Sequence, residues 1–225
     1  MDRSNVVEIL PERVANVSST SYPSHHPDHS GAWDFEEFKQ NLRVNVTRWT
    51  TDLCGFDLVG VDASIANAIR RVLIAEVPSV AIEHVYIWNN TSIIQDEVLS
   101  HRLGLIPLAI DPRKLSFKMD DEANDQNTVV FNLKADCWKN GNSKDATVEG
   151  RYVYSSQLEW DPKGDQAEFM VDSPPRPVNQ DIVIAKLAPG QGMEMELHCE
   201  KGIGKDHAKF SPVATATYRL LPLIE

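Results

Sequence analysis

The sequence predicts an α+β protein with a separate middle segment, and three stretches carry that reading. Residues 61–78 form a helix that is apolar on almost every side. Residues 193–199 alternate Met193, Met195, Leu197 and Cys199 with Glu194, Glu196 and His198, the pattern of a strand with one dry and one wet face. Between about Arg113 and Pro177 the pattern loosens into acidic, Asn- and Gly-bearing segments that read as an insertion of variable loops.

In the helix, Ile65, Ala68, Ile69 and Val72 mark one face at i, i+3, i+4, i+7, while Ala66, Leu73 and Val77 mark another. One sheet cannot cover both faces, so a buried helix held against a second body is expected. Asp62 or Ser64 can cap its first turn, and Pro78 prevents continuation beyond Val77. Arg70 and Arg71 stand on this helix about 100° apart and therefore serve different neighbours. A buried guanidinium stays charged and must be paired or it costs several kcal/mol. The reading from the residues alone is salt bridges within the chain. Asn67, on the same helix, either ties its polar groups to an adjacent chain or is capped locally and solvated.

The other elements follow from shorter patterns. Leu42, Val44 and Val46, then Phe56, Leu58 and Val59, give two strands leading into the helix, and Ile82, Val85 and Ile87 mark a strand after Pro78. A second helix is expected from near Ser92 to Gly104, with Asp96 and Glu97 early and His101 and Arg102 late, as the helix dipole favours. Strands are expected at Val129 to Leu133, Tyr152 to Tyr154, Gln157 to Trp160 and Ile182 to Leu187, with a last strand over 213–220. Residues 1 to about 31 read as an extended or poorly ordered arm. Its His25, His26, Asp28 and His29 lack the cysteines or spaced carboxylates that would complete a metal site.

Composition narrows the function. Across 225 residues, 33 Asp and Glu against 22 Lys and Arg leave a net charge of −11, which argues against the chain gripping nucleic acid alone. It has no apolar run of membrane-spanning length and no apolar signal-peptide core, so an intracellular chain without membrane contact is expected. Cys54, Cys137 and Cys199 are widely spaced and contain no CxxC pair, which indicates neither a disulfide framework nor a zinc site; no metal or cofactor is expected. The stretch Gly202-Ile203-Gly204-Lys205-Asp206-His207 has the look of a phosphate loop, but Asp206 stands where Ser or Thr is needed and His207 where a third dinucleotide-fold glycine would be. What remains is a glycine-hinged turn that presents Lys205, His207 and Lys209 to solvent. Asp206, His207 and Ser211 do not make a catalytic set, because adjacent residues rarely aim at one point and no nucleophile elbow accompanies them.

Three blocks, residues 61–78, 89–107 and 201–214, occur in the order and spacing of a known family. The chain resembles the α-type subunits of cellular RNA polymerases, bacterial α and its archaeal and nuclear relatives, from about Trp33 to Leu221. The wording of the third block and the lack of a cysteine-rich metal site are most similar to the branch shared by nuclear polymerases I and III. The resemblance implies a discontinuous dimerisation domain, a sheet with packed helices formed by residues 41–77 and 212–225, interrupted by a mainly β insert domain at 78–211 and preceded by an arm at 1–40. It implies a non-catalytic scaffold that pairs with a smaller α-like subunit, docks the second-largest subunit and small zinc-bearing subunits, and works in the nucleus, including the nucleolus. Nucleic acid is met only through the complex. Asn67, Arg70, Arg71, Gly202, Gly204, Lys205, His207 and Lys209 are the partner-binding candidates that follow. Relatives continue past the position of Glu225 with further strand and a long helix, so the dimerisation domain in this sequence is read as incomplete at its C-terminus. The rivals are an α-like subunit of polymerase II or of an archaeal polymerase, a nucleotide-binding enzyme using Lys205 and His207, and a free nucleic-acid-binding module in the middle β segment.

Overall fold

The computed structural model describes residues 8–15, 34–119, 122–140 and 147–221. It divides into two compact units, Met1–Leu73 with Thr215–Glu225, and Ile74–Ala214. Helices and sheets occur together, as the α+β expectation requires. The His25 to His29 cluster lies outside the described residues.

In the first unit, β1 (Glu8–Ile9) and β2 (Val14–Ala15) pair as a minimal hairpin. Helix α1 (Phe35–Asn41) starts where the Asp34 carboxylate accepts from the backbone N–H groups of Glu36 and Glu37 at 2.8 and 3.2 Å. Next, β3 (Arg43–Trp49) and β4 (Cys54–Val59) pair antiparallel, with Arg43 opposite Val59 and Trp49 opposite Cys54. All seven residues of β3 are exposed, and Val44, Val46 and Phe56 are among the open apolar side chains. A two-stranded ribbon with so little cover is marginal in water by itself. Helix α2 (Ala63–Ala75) follows, with the unit boundary in its last turn.

The second unit is built on a four-stranded antiparallel sheet. Its strands are β5 (Ser79–Asn90), β7 (Thr128–Asp136), β11 (Glu159–Asp161) and β14 (Gly192–Gly202), in the order β11-β7-β14-β5. Leu197 sits opposite both Val85 and Phe131, and Cys199 opposite both Ile82 and Val129. The alternation along β14 thus becomes rows of apolar side chains across three strands. Helix α3 (Asp96–Gly104) closes over them with the fully buried Leu99 and Leu103. Each such burial contributes roughly 1.5–3 kcal/mol.

Shorter elements complete the unit. They are β6 (Leu108–Ala109) paired with β12 (Arg176–Pro177), β8 (Trp138–Asn140) with β9 (Thr147–Glu149), β10 (Tyr152–Tyr154) with β13 (Val183–Lys186), and the one-turn helix α4 (Gln166–Phe169). Arg102 ties α3 to β13, its Nε donating to the Ile184 carbonyl at 3.1 Å and its Nη2 to that of Val183 at 2.9 Å. In α4, the fully buried Gln166 donates through Nε2 to the Asp125 and Thr128 carbonyls at 2.8 and 2.7 Å, fastening the loop region to the start of β7.

Several expectations need correction. The second helix begins at Asp96, not near Ser92, because Asn90 folds the intervening chain on itself. Its Oδ1 accepts from the N–H and hydroxyl of Ser92, and its Nδ2 donates to the Ile94 carbonyl and to Asp96. The stretch at Gln157 to Trp160 is a tight turn followed by β11, since the Leu158 N–H closes on the Ser155 carbonyl. Residues 213–220 pair with no strand among the described residues; an alternating pattern yields a strand only where a ladder partner is available. The region from Arg113 to Pro177 is more than variable loops, for it contributes β7, an inner strand of the main sheet.

Because Leu197 is fully buried in the central strand, Leu197→Ala should destabilise the second unit by about 2–5 kcal/mol. Trp88→Ala, at a side chain 73% exposed, should stay within about 0.5 kcal/mol. Urea unfolding of the two variants measures the contrast.

Candidate functional site

Helix α2 starts as expected: the Asp62 carboxylate accepts from the Ser64 N–H at 2.8 Å. Its burial does not follow expectation, for none of its residues is buried, and Ile69 and Val72 are 36% and 43% exposed. Apolarity on two faces called for cover that the described residues do not provide. Arg70 is braced one turn back, its Nε and Nη2 donating to Asn67 Oδ1 at 3.1 and 2.9 Å. That explains Asn67: a neutral oxygen at i−3 orients the guanidinium without cancelling its charge. Arg71 is exposed. Among the described residues no carboxylate forms an ion pair with either arginine, which goes against the intrachain salt-bridge reading.

Residues 202–210 fold into a turn held from three sides. The Lys205 N–H donates to the Ala75 carbonyl at 2.9 Å, satisfying one of the orphan acceptors at the end of α2. The Ser79 hydroxyl donates to the Phe210 carbonyl at 2.6 Å. Lys209 reaches across to β5, where its Nζ donates to the Ile82 carbonyl at 2.8 Å and pairs with Glu83 at 2.5 Å. The expectation that Lys209 is presented outward therefore fails: its side chain is 12% exposed and builds the turn. Lys205 and His207 are exposed, with the His207 ring also accepting from the Lys209 N–H through Nδ1 at 3.1 Å.

Gly202 and Gly204 are needed for close approach. Neither has a left-handed backbone, contrary to the hinge expected from sequence. A Cβ on Gly204 would lie 2.1 Å from the Ile74 carbonyl oxygen, and one on Gly202 would enter the Phe210 ring at 2.7 Å. The same packing disposes of the phosphate-loop likeness. A loop that cradles phosphate offers its N–H groups outward; here those of Lys205, Asp206 and Lys209 are engaged by Ala75, Ile203 and His207.

Elsewhere the chemistry is quiet. Burial pushes the Cys199 thiol up, away from the thiolate that nucleophiles and metal ligands need. The other cysteines are far apart in the sequence, Cys137 buried and Cys54 exposed. Around the main sheet Lys134 pairs with Glu194 at 3.1 Å and Lys163 with Asp161 at 2.5 Å, and the hydrogen bond from Lys163 holds the Asp161 carboxyl below its usual range. Lysines matched by carboxylates in this way are poorly placed to neutralise phosphates, which weakens the case for a free nucleic-acid module. No described helix is long and apolar enough to cross a membrane.

Comparison with known proteins gives the class to which this chain belongs. Residues 85–221 match the family model of the RNA polymerase Rpb3/RpoA insert domain. The chain is 48% identical over 219 residues to the mouse DNA-directed RNA polymerases I and III subunit RPAC1, covering 94% of this chain and 63% of that protein. It is 44% identical to the Saccharomyces cerevisiae subunit of the same name, covering 98% and 69%. The Arabidopsis thaliana subunit 3 of polymerases II, IV and V is 37% identical, covering 84% and 60%. The chain belongs to the family of α-like RNA polymerase subunits that carry the Rpb3/RpoA insert domain. Its higher identity is with the subunits of polymerases I and III, and it spans less than two thirds of the mouse relative's length.

The turn generates three expectations. Gly204→Ala should destabilise the second unit by about 1–3 kcal/mol, because the added methyl meets backbone that cannot withdraw. Lys209→Ala should cost about 1–3 kcal/mol by leaving the Ile82 carbonyl and Glu83 without their donor. Lys205→Ala, which keeps the backbone bond to Ala75, should be near neutral. Thermal unfolding of the three variants tests the order.

Proposed function

We propose that this chain is a non-catalytic assembly and scaffold subunit of DNA-directed RNA polymerases I and III. In this reading residues 41–77 with 212–225 are the dimerisation domain and pair with a smaller α-like subunit, while residues 78–211 are the insert domain, a layout supported by the division of the chain into Met1–Leu73 with Thr215–Glu225 and Ile74–Ala214. The observation that carries it is the state of α2 and the β3–β4 ribbon: among the described residues, apolar side chains without cover beside an arginine pair without a carboxylate partner. A partner sheet or helix that covered Val44, Val46 and Phe56 would contribute non-directional attraction, and Arg70 and Arg71 would reject a partner in the wrong register by leaving charge unpaired.

The exposed Lys205 and His207, on a turn fixed by Gly202, Gly204 and Lys209, are the proposed contact for the second-largest subunit. Small zinc-bearing subunits would join the same assembly. Nucleic acid would be met only through the complex, and the place of work would be the nucleus, including the nucleolus. The higher identity to subunits of polymerases I and III favours this over a polymerase II or archaeal role.

Arg70→Ala and Arg71→Ala should each reduce recovery of the assembled complex in quantitative co-purification while shifting the melting temperature of the purified heterodimer by only a few degrees. Equal complex recovery from variant and unaltered chains would remove the role given to the arginines. If co-expression with the smaller α-like subunit yields no soluble heterodimer, the dimerisation reading falls.

A further inference from the structure

A groove of about 320 Å³ opens in the second unit at the end of the β10–β13 ladder, away from α2 and from the 202–210 turn in sequence. Ile93, Val148, Arg151, Lys186, Leu187 and Pro189 are among its lining residues. Both cations line the groove at one end of the ladder. Tyr152 is the register partner of Lys186, and the Leu187 N–H donates to the Arg151 carbonyl at 2.8 Å, so Lys186 starts from the face of Tyr152 and Arg151, one residue along, from the other. The floor is firm, because the turn beyond it closes through the Ala188 N–H on Gln191 Oε1 at 2.8 Å. The walls are open and apolar, with Ile93 86% and Val148 39% exposed.

The electrostatics point to an occupant. Lys118, Lys134, Lys163, Lys209 and Arg113 each pair with a carboxylate of this acidic chain. Arg151 and Lys186, like Lys201 and Lys205, form no ion pair among the described residues, but these two line one groove; Lys186 Nζ stands 5.2 Å from the Tyr152 ring centroid, a contact that leaves its charge uncompensated. Two exposed cations beside an aliphatic wall suit a short extended peptide carrying carboxylates and an aliphatic side chain. They suit nucleic acid less, since a phosphate backbone calls for a row of cations and this chain carries a net charge of −11.

We propose that this groove receives an acidic extended segment of a neighbouring polypeptide in the assembled complex, its carboxylates on Arg151 and Lys186 and its aliphatic side chain against Ile93 and Val148. The proposal rests on the assembly role given above and adds a docking site to it. Zero-length carbodiimide coupling of the purified complex, followed by peptide mapping, tests it, since that reagent joins an amine to a carboxylate only where the two are already in contact. Lys134 with Glu194 and Lys163 with Asp161 serve as internal controls that should couple within the chain.

The expected result is Lys186 joined to an Asp or Glu of another chain. Arg151→Glu should lower that product about tenfold while the chain still enters the complex, and Arg151→Lys should retain it, because like charges juxtaposed at an interface are strongly disfavoured. An unlinked Lys186 with both controls coupled, or Lys186 joined to a carboxylate of its own chain, overturns the groove proposal alone. So does ultraviolet crosslinking that maps nucleic acid to residues 148–151 or 186–189. A chain that never enters the complex overturns the assembly role and, with it, this proposal.

Discussion

Strand β14 must match its backbone polar groups on both sides, and the ladders to β5 and β7 do so over nearly its whole length. Because side chains alternate with a period of two, a slip of one residue would drive Glu194 and Glu196 into the core and turn Met195 and Leu197 out. The register is therefore strongly specified. It aligns Met195 with Ile87 and Leu133, and Leu197 with Val85 and Phe131, so that Leu99 and Leu103 of α3 find a continuous apolar surface. The same register delivers the chain at Gly202 beside the start of β5.

From that point the 202–210 turn is shaped by groups remote in sequence. Ser79 takes the Phe210 carbonyl, Ile82 and Glu83 take the Lys209 ammonium, and Ala75 takes the Lys205 N–H. A loop held so firmly has little conformational freedom left to lose, which lowers the cost of any docking that uses it. The exposed Lys205 and His207 stand on a frame set by the core of the second unit and not by a bound ligand.

Charge is distributed unevenly over this acidic chain. Lys118, Lys134 and Lys163 are matched by carboxylates, whereas Arg70 is oriented by a neutral amide and Arg151 and Lys186 line an open groove without an ion pair among the described residues. Cations left unneutralised discriminate between partners by what happens when a contact is missing, while apolar surface such as β3 offers attraction to many. The division suits a subunit of the α-like family, whose members work as parts of a larger assembly.

Local patterns made much of this readable in advance. The alternation along β14, the Asp62 cap of α2, and the acidic start and basic end of α3 each depend on neighbours within a few residues and are found where the pattern put them, although α2 stops at Ala75, short of Val77. The three blocks carried the family as well. What local patterns could not carry was the pairing of distant segments. Lys209 reads as a presented charge until Ile82 and Glu83 are placed beside it, and Gly204 reads as a hinge until the end of α2 is found against it. Among the described residues, 213–220 alternate like a strand but find no ladder, and α2 has a core helix's composition without a core helix's cover. Hydrophobic period and capping chemistry are properties of a short stretch of chain; which surfaces meet, and which stay open, depends on contacts that only the folded chain brings within reach.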